Sequence, residues 1–204
     1  MYRLHDFGPS GNCYKVRLAL TVLEREFERV DVDILEGASR TPRFLELNPN
    51  GRVPVLELDD GRCLAESNAI LWYLADGTRL LPTDPFDRAQ VLRWMFFEQY
   101  SHEPYIATIR FWITELRKPV EYADEIARRR PQGEAALAVM DGHLRDRDWF
   151  VGDAMSIADI ALYAYTHVAG DGGFVLDRYA SVCRWLDRVA SQPGYIPISD
   201  RCAG

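Results

Sequence analysis

Ser10, Asn12, Cys13 and Lys15 fall within six positions of one another, bringing a hydroxyl, an amide, a thiol and an ammonium together. They follow Gly8-Pro9 and precede a stretch in which Val16, Ala19, Leu20 and Leu23 recur at helical spacing, so a turn becomes a helix here. The first N–H groups of a helix have no partner inside it, and together with the helix dipole they favour an anion. Ser10 and Asn12 add two side-chain donors at that place. A thiol in a first turn has its own pKa lowered, so Cys13 is a rival reactive group. The plainest alternative is that Ser10 and Asn12 only build the turn and cap the helix.

Two further clusters have chemical content. In "NPNGRVPVLE" (48–57), Val53-Pro54 reads as a rigid strand entry, because a proline at the first residue of a strand removes no ladder bond. Arg52, just before it, is a cation suited to a carboxylate, with Arg40 a weaker candidate. In "LAESNAILWYLA" (64–75), Ser67 is positioned to cap a helix over 67–76, and Glu66 sits at its positive end. The N–H groups of that helix start suit a bound carboxylate.

These groups need elements to hold them. Residues 2–5 read as a strand, 13–25 as a helix and 27–34 as a β-branched strand. "TPRFLELNP" is a short helix, with Thr41 as its cap, Pro42 in its first turn and Asn48-Pro49 as its stop. A hairpin turns at Asp60-Gly61, and the helix from Ser67 follows. The order β-α-β-α-β-β-α predicts an α/β unit with a mixed four-stranded sheet over residues 1–77. Residues 78–85 read as a linker. Residues 86–204 read as an all-helical domain: a long segment over 86–117 kinked at Pro104, then helices over about 122–145, from Ser156, and over about 178–191. Ser156 with Asp159 three positions on is a capping-box signal of folding rather than catalysis.

Composition narrows the class. The chain has 204 residues, 48% hydrophobic and 27% charged, enough to bury a core. The net charge of −7 is spread over both halves, which argues against nucleic acid as a partner. No apolar run is long enough for a membrane span, and the N-terminus lacks a signal-peptide layout. Cysteines 13, 63, 183 and 202 form no CxxC, so reduced thiols and a cytoplasmic location are expected. His5, His102, His143 and His167 have no metal-ligand spacing, so no metal is expected.

Taken together, "SGNCYKV", "NPNGRVPVLE", "LAESNAILWYLA" and "FVGDAMSIADI" resemble, in order and spacing, the cytosolic glutathione transferases of bacterial type. The resemblance runs over roughly residues 1–195. It implies a thioredoxin-like domain followed by an all-helical bundle, with glutathione as co-substrate and a homodimeric assembly. It further implies that Pro54 is cis, so that the main chain of Val53 pairs with the cysteinyl unit of glutathione as an added strand. Glu66 then faces the ligand's ammonium, the helix start at Ser67 holds the γ-glutamyl carboxylate, and Arg52 holds the glycyl carboxylate. Lys15 orients the first loop or adds positive potential.

By the same resemblance, Ser10 and Asn12 meet the glutathione sulfur. Lowering a thiol pKa by two units takes about 2.7 kcal/mol. One hydrogen bond to a charged acceptor supplies about 1.5–3 kcal/mol, and a helix start about 0.3–1 kcal/mol more. One well-placed donor is therefore enough. Tyrosine-type relatives use a first-strand hydroxyl, but here that strand ends in Phe7, and Tyr2 is too far back. Cys13 stands later than the redox cysteines of some relatives and suits packing better. Tyr105, Ile109 and Trp112 share one helix face and are the candidate pocket for a small hydrophobic electrophile. Glu98 is the candidate contact to a partner subunit's glutathione. The expected activity is detoxifying transfer of glutathione to that electrophile. The alternatives are glutathione-dependent disulfide or peroxide reduction at the same site, and a non-catalytic binding or regulatory protein on the same fold.

Overall fold

The computed structural model describes residues 1–200 and divides the chain into two compact units. Met1–Thr78 and the segment from Pro193 on form the first, and Arg79–Gln192 forms the second. Residues 201–204, including Cys202, lie outside the described part.

The first unit is a mixed sheet in the order β2-β1-β3-β4, built from β1 (Tyr2–Asp6), β2 (Phe27–Asp31), β3 (Val55–Glu57) and β4 (Cys63–Ala65). β1 and β2 run parallel, and their crossover is the helix α1 (Gly11–Val22). β3 is antiparallel to β1 and forms the expected hairpin with β4. Thr41 caps α2 (Pro42–Leu47) by accepting from the Phe44 N–H, with Pro42 in the first turn. Helix α3 (Ser67–Ala75) buries Ile70, Leu71 and Leu74. α1 is buried almost all round, Lys15 and Arg17 included.

The start of α3 differs from the sequence reading. Its N-cap is Glu66, at φ 69°, not Ser67, and Glu66 makes no side-chain cap bond. Ser67 is the first helical residue, because the turn out of β4 is completed one residue earlier by a left-handed backbone. The 193–200 segment also differs, belonging to the sheet unit rather than to the helices. The Tyr14 hydroxyl donates to the Ile196 carbonyl at 2.7 Å and Arg17 to the Ile198 carbonyl at 3.2 Å. Gly194, at φ 79°, lets the segment lie so close to α1 that a Cβ there would stand 2.9 Å from the Val22 Cα.

The second unit holds α4 (Pro85–Phe97), α5 (Glu103–Thr114), α6 (Ala123–His143), α7 (Ile157–Thr166) and α8 (Ala180–Ala190). Between α4 and α5 the helix loosens into a π-type turn over Glu98–His102, with the Glu103 N–H bonded to the Glu98 carbonyl. Pro104, where the kink is expected, has no N–H to give and clashes with a normal preceding turn, so the irregularity lies just before it. Trp94, Phe150, Tyr163 and Trp185 pack as a chain of aromatic contacts in the core. The capping box at α7 forms as read. No helix among the described residues is long and apolar enough to cross a membrane.

Candidate functional site

The strand pairing brings three separated segments to one end of the sheet. His5 pairs with Val55, and Val55 pairs with Ala65. The chain therefore leaves β1 towards Phe7–Ser10, enters β3 through Val53-Pro54 and leaves β4 through Glu66-Ser67 at the same edge. The Val53-Pro54 peptide is cis. Among the described residues, no hydrogen bond takes up the Val53 N–H or C=O.

The Phe7–Ser10 loop is pinned from beneath. The Ser10 N–H bonds the Phe7 carbonyl at 2.8 Å. Arg17 donates to the Gly8 carbonyl at 2.9 Å and to Asp6 at 2.5 Å. Asp6, fully buried, also takes Arg29 at 2.6 Å, so one carboxylate sits between two guanidiniums. Such a group is costly to bury unless every charge is bonded, and that condition fixes its geometry. Neither Asp6 nor Arg17 stands out in the sequence reading. The available signal is a lone arginine inside the apolar run "VRLALTV".

At the helix start, Ser10 is the N-cap of α1, and its Oγ accepts from the Cys13 N–H at 3.3 Å. The hydroxyl proton remains to be donated. Asn12, half-buried, accepts at Oδ1 from the Ser67 hydroxyl at 3.1 Å, and Lys15 Nζ donates to the same Ser67 oxygen at 3.5 Å. Residues 12, 15 and 67 are thus joined across 55 positions of sequence. Cys13 points the other way. It is fully buried, takes the Phe7 N–H on its sulfur at 3.4 Å, and its thiol is pushed up to about 12, first by burial and then by the Asp6 charge. Burial outweighs the helix start that a first-turn cysteine otherwise exploits.

The other predicted ligands lie around this edge. Arg52 is exposed. The Asn48 side chain donates to its carbonyl at 2.8 Å and shapes the 48–52 turn. Arg40 bonds the Asn50 carbonyl at 3.0 Å. Glu66 is exposed.

Two family models cover most of the chain: the glutathione S-transferase N-terminal domain over residues 9–76 and the C-terminal domain over residues 94–193. The chain belongs to the glutathione S-transferase family. A glutathione S-transferase structure from Pseudomonas fluorescens is 51% identical, with a TM-score of 0.96 over 98% of this chain and 99% of that one. The maleylacetoacetate isomerase of Rhizobium meliloti is 32% identical over 98% of this chain and 91% of its own. The disulfide-bond oxidoreductase YfcG of Escherichia coli is 29% identical over 92% and 89%. Relatives of this fold have been solved with glutathione, among them Ure2p at 25% identity and a TM-score of 0.84 over 95% of this chain and 90% of that one.

In the C-terminal domain of this transferase-family chain, the candidate pocket residues have different environments. Ile109 is fully buried, while Tyr105 and Trp112 keep some exposed surface. Trp112 stacks on Tyr122 at 4.6 Å, with the Arg129 guanidinium 5.4 Å from its ring. Glu98 is fully buried and accepts from the Gln99 amide at 2.9 Å, so its carboxylate faces the interior. Phe86, Phe96 and Tyr100 are the exposed aromatics of the same stretch, each more than two-thirds accessible.

Proposed function

We propose that this protein is a glutathione transferase that stabilises the glutathione thiolate with Ser10 and Asn12 and directs it at an apolar electrophile. The observation that carries this reading is the pairing of an open helix start with a closed cysteine. Ser10 and Asn12 offer donors at the mouth of α1, whereas Cys13 is buried with its thiol at about 12. Thiolate chemistry at this loop then belongs to a thiol that arrives with the ligand.

In this reading the cysteinyl unit of glutathione pairs with the main chain of Val53 beside the cis Pro54. The γ-glutamyl carboxylate meets the N–H groups opening α3, Glu66 takes the ammonium, and Arg52 takes the glycyl carboxylate. The thiolate attacks the carbon of the electrophile and displaces a leaving group or adds across a polarised double bond. The protein's contribution is thiolate stabilisation and positioning. Tyr105 and Trp112 are the proposed surface for the electrophile. The exposed Phe86, Phe96 and Tyr100 favour a homodimer.

A second reading is supported by the likeness to YfcG. Here the bound thiolate attacks a disulfide, forming a mixed disulfide and releasing one thiolate. A second glutathione then displaces the other half and leaves as glutathione disulfide. No protein cysteine takes part. One experiment separates both readings from a cysteine-dependent transferase: turnover of Ser10→Ala, Asn12→Ala and Cys13→Ala with an activated aryl chloride and with a small organic disulfide. Loss in the first two, with Cys13→Ala active, supports the proposed site, and the preferred substrate ranks the two activities. Loss confined to Cys13→Ala overturns it.

A further inference from the structure

We infer that Arg17 is a positioning residue for the thiolate site, and that the 193–200 segment acts through it to set where the Ser10 donor stands. The inference rests on the proposed glutathione site and adds to it a control from residues far along the chain.

The Phe7–Ser10 loop closes as a tight turn, with the Ser10 N–H on the Phe7 carbonyl at 2.8 Å. Its middle peptide joins Gly8, whose backbone rotates most freely, to Pro9, which has no N–H. A hydrogen bond can therefore hold that peptide only at the Gly8 carbonyl. Arg17 holds it, at 2.9 Å. The same guanidinium nitrogen donates to the Ile198 carbonyl at 3.2 Å, and the other terminal nitrogen donates to Asp6 at 2.5 Å. A guanidinium is planar and its donors form a fixed fork, so these bonds do not adjust one at a time. The loop and the 193–200 segment are thus placed relative to each other through one nitrogen atom.

The segment is itself tied down on either side of Ile198. Tyr14 donates to the Ile196 carbonyl at 2.7 Å, Arg29 donates to the Asp200 carbonyl at 3.2 Å, and Gly194 lies against Val22. Arg17 and Arg29 share the Asp6 carboxylate, so the carbonyls of residues 8, 198 and 200 all meet one ionic cluster. Arg17 is 1% exposed and Asp6 fully buried, so water does not readily replace a bond lost there. Lifting the segment moves the guanidinium, the guanidinium moves the Gly8 carbonyl, and the turn carries Ser10 with it. The reach and angle of the Ser10 hydroxyl towards sulfur then change, although no group that touches glutathione has been removed.

The test follows the ultraviolet absorbance of the bound glutathione thiolate against pH in wild type, Gly194→Ala, Tyr14→Phe, Arg17→Lys and the Gly194→Ala, Arg17→Lys double variant. Gly194→Ala puts a Cβ 2.9 Å from the Val22 Cα at a backbone φ of 79°, and so lifts the segment at its root. It is expected to raise the apparent thiol pKa by about 1 unit, with KM for glutathione within about twofold. Tyr14→Phe should raise that pKa by roughly half as much. Arg17→Lys keeps the charge but not the fork and should raise it by about 1 unit, and the double variant by no more than the larger single shift. Tyr14→Phe, the mildest change, reads the same coupling if either of the others fails to fold. Lower stability in Gly194→Ala and Tyr14→Phe with an unmoved thiol pKa overturns the inference, because the segment then only supports the fold. An Arg17→Lys protein with the wild-type thiol pKa also overturns it, since the charge alone then suffices, and so do shifts that add in full. A wild-type protein that leaves the bound thiol at its free pKa overturns the proposed site and this inference with it. A lowered wild-type pKa that none of the three single variants moves overturns this inference alone.

Discussion

Two helices of this protein, α1 and α7, are capped by serine, and the two starts are finished in opposite ways. At α7, Ser156 caps the helix and the third residue in is Asp159. That carboxylate accepts from the Ser156 N–H and hydroxyl, the Phe150 N–H and the Trp185 indole, all between 2.8 and 3.1 Å. Burial pushes its carboxyl up, and four donors hold it in place. At α1, Ser10 caps the helix, the third residue in is Cys13, and the first turn holds no acid. One start carries its own carboxyl group and is sealed into the core. The other has no acid in its first turn, and in the proposed function it meets an anion from outside. On that proposal, the same cap chemistry gives a folding element or a binding site according to one residue three positions on.

The largest effect that would test this contrast is at the sealed start. Asp159→Ala strands four donors in the core and should cost at least about 3 kcal/mol of stability, read by denaturant unfolding. An effect under about 1 kcal/mol would mean that α7 is not sealed by its carboxylate. The other end of α7 gives the next prediction. His167 stacks on Tyr163, and burial lowers its pKa to about 4 from an ordinary 6.5. The unfolded chain therefore takes the proton first. Stability is full above pH 6.5, falls as the pH drops towards 4, and levels off below. The loss is up to about 3 kcal/mol. Thermal melts across that range should show it, and His167→Gln should flatten it.

At the open start the effects appear in catalysis rather than stability. Asn12→Ala should lower kcat/KM by about 10–100-fold. Asn12→Asp, which puts a carboxyl group in the first turn as α7 has, should lower it further with unfolding hardly changed. Equal effects of the two variants would erase the contrast between open and sealed starts. The smallest effect is expected at Cys13: Cys13→Ala should keep kcat/KM within about twofold, and in the native protein Cys13 should resist alkylation at pH 8 while the half-buried Cys63 and Cys183 react.

Much of this was legible in the sequence, because it rests on local chemistry. Asp60-Gly61 sets the hairpin, Pro42 and Thr41 start α2, and Ser156 with Asp159 announces α7. Other features depend on partners far away in the chain. The Asn12–Ser67 bond spans two helices whose approach no local pattern encodes. Ser67 looked like a cap because serine before an apolar run usually is one, yet a left-handed Glu66 took that role. Arg17 hides in an apolar run, and its partner Asp6 sits at the end of a strand where an acid reads as a turn signal. The π-type turn over Glu98–His102 follows from the sterics of Pro104, two residues past its end.

The sheet unit is discontinuous in sequence, since residues 193–200 close over α1 through Tyr14, Arg17 and Gly194. During synthesis, then, the first seventy-eight residues leave the ribosome long before the segment that completes their fold. The helical unit has its whole sequence in hand earlier and can consolidate while the donor-bearing loop still waits for its last brace. An excised N-terminal fragment would be expected to bind poorly for the same reason, since the guanidinium that anchors the loop would lack one of its carbonyl partners.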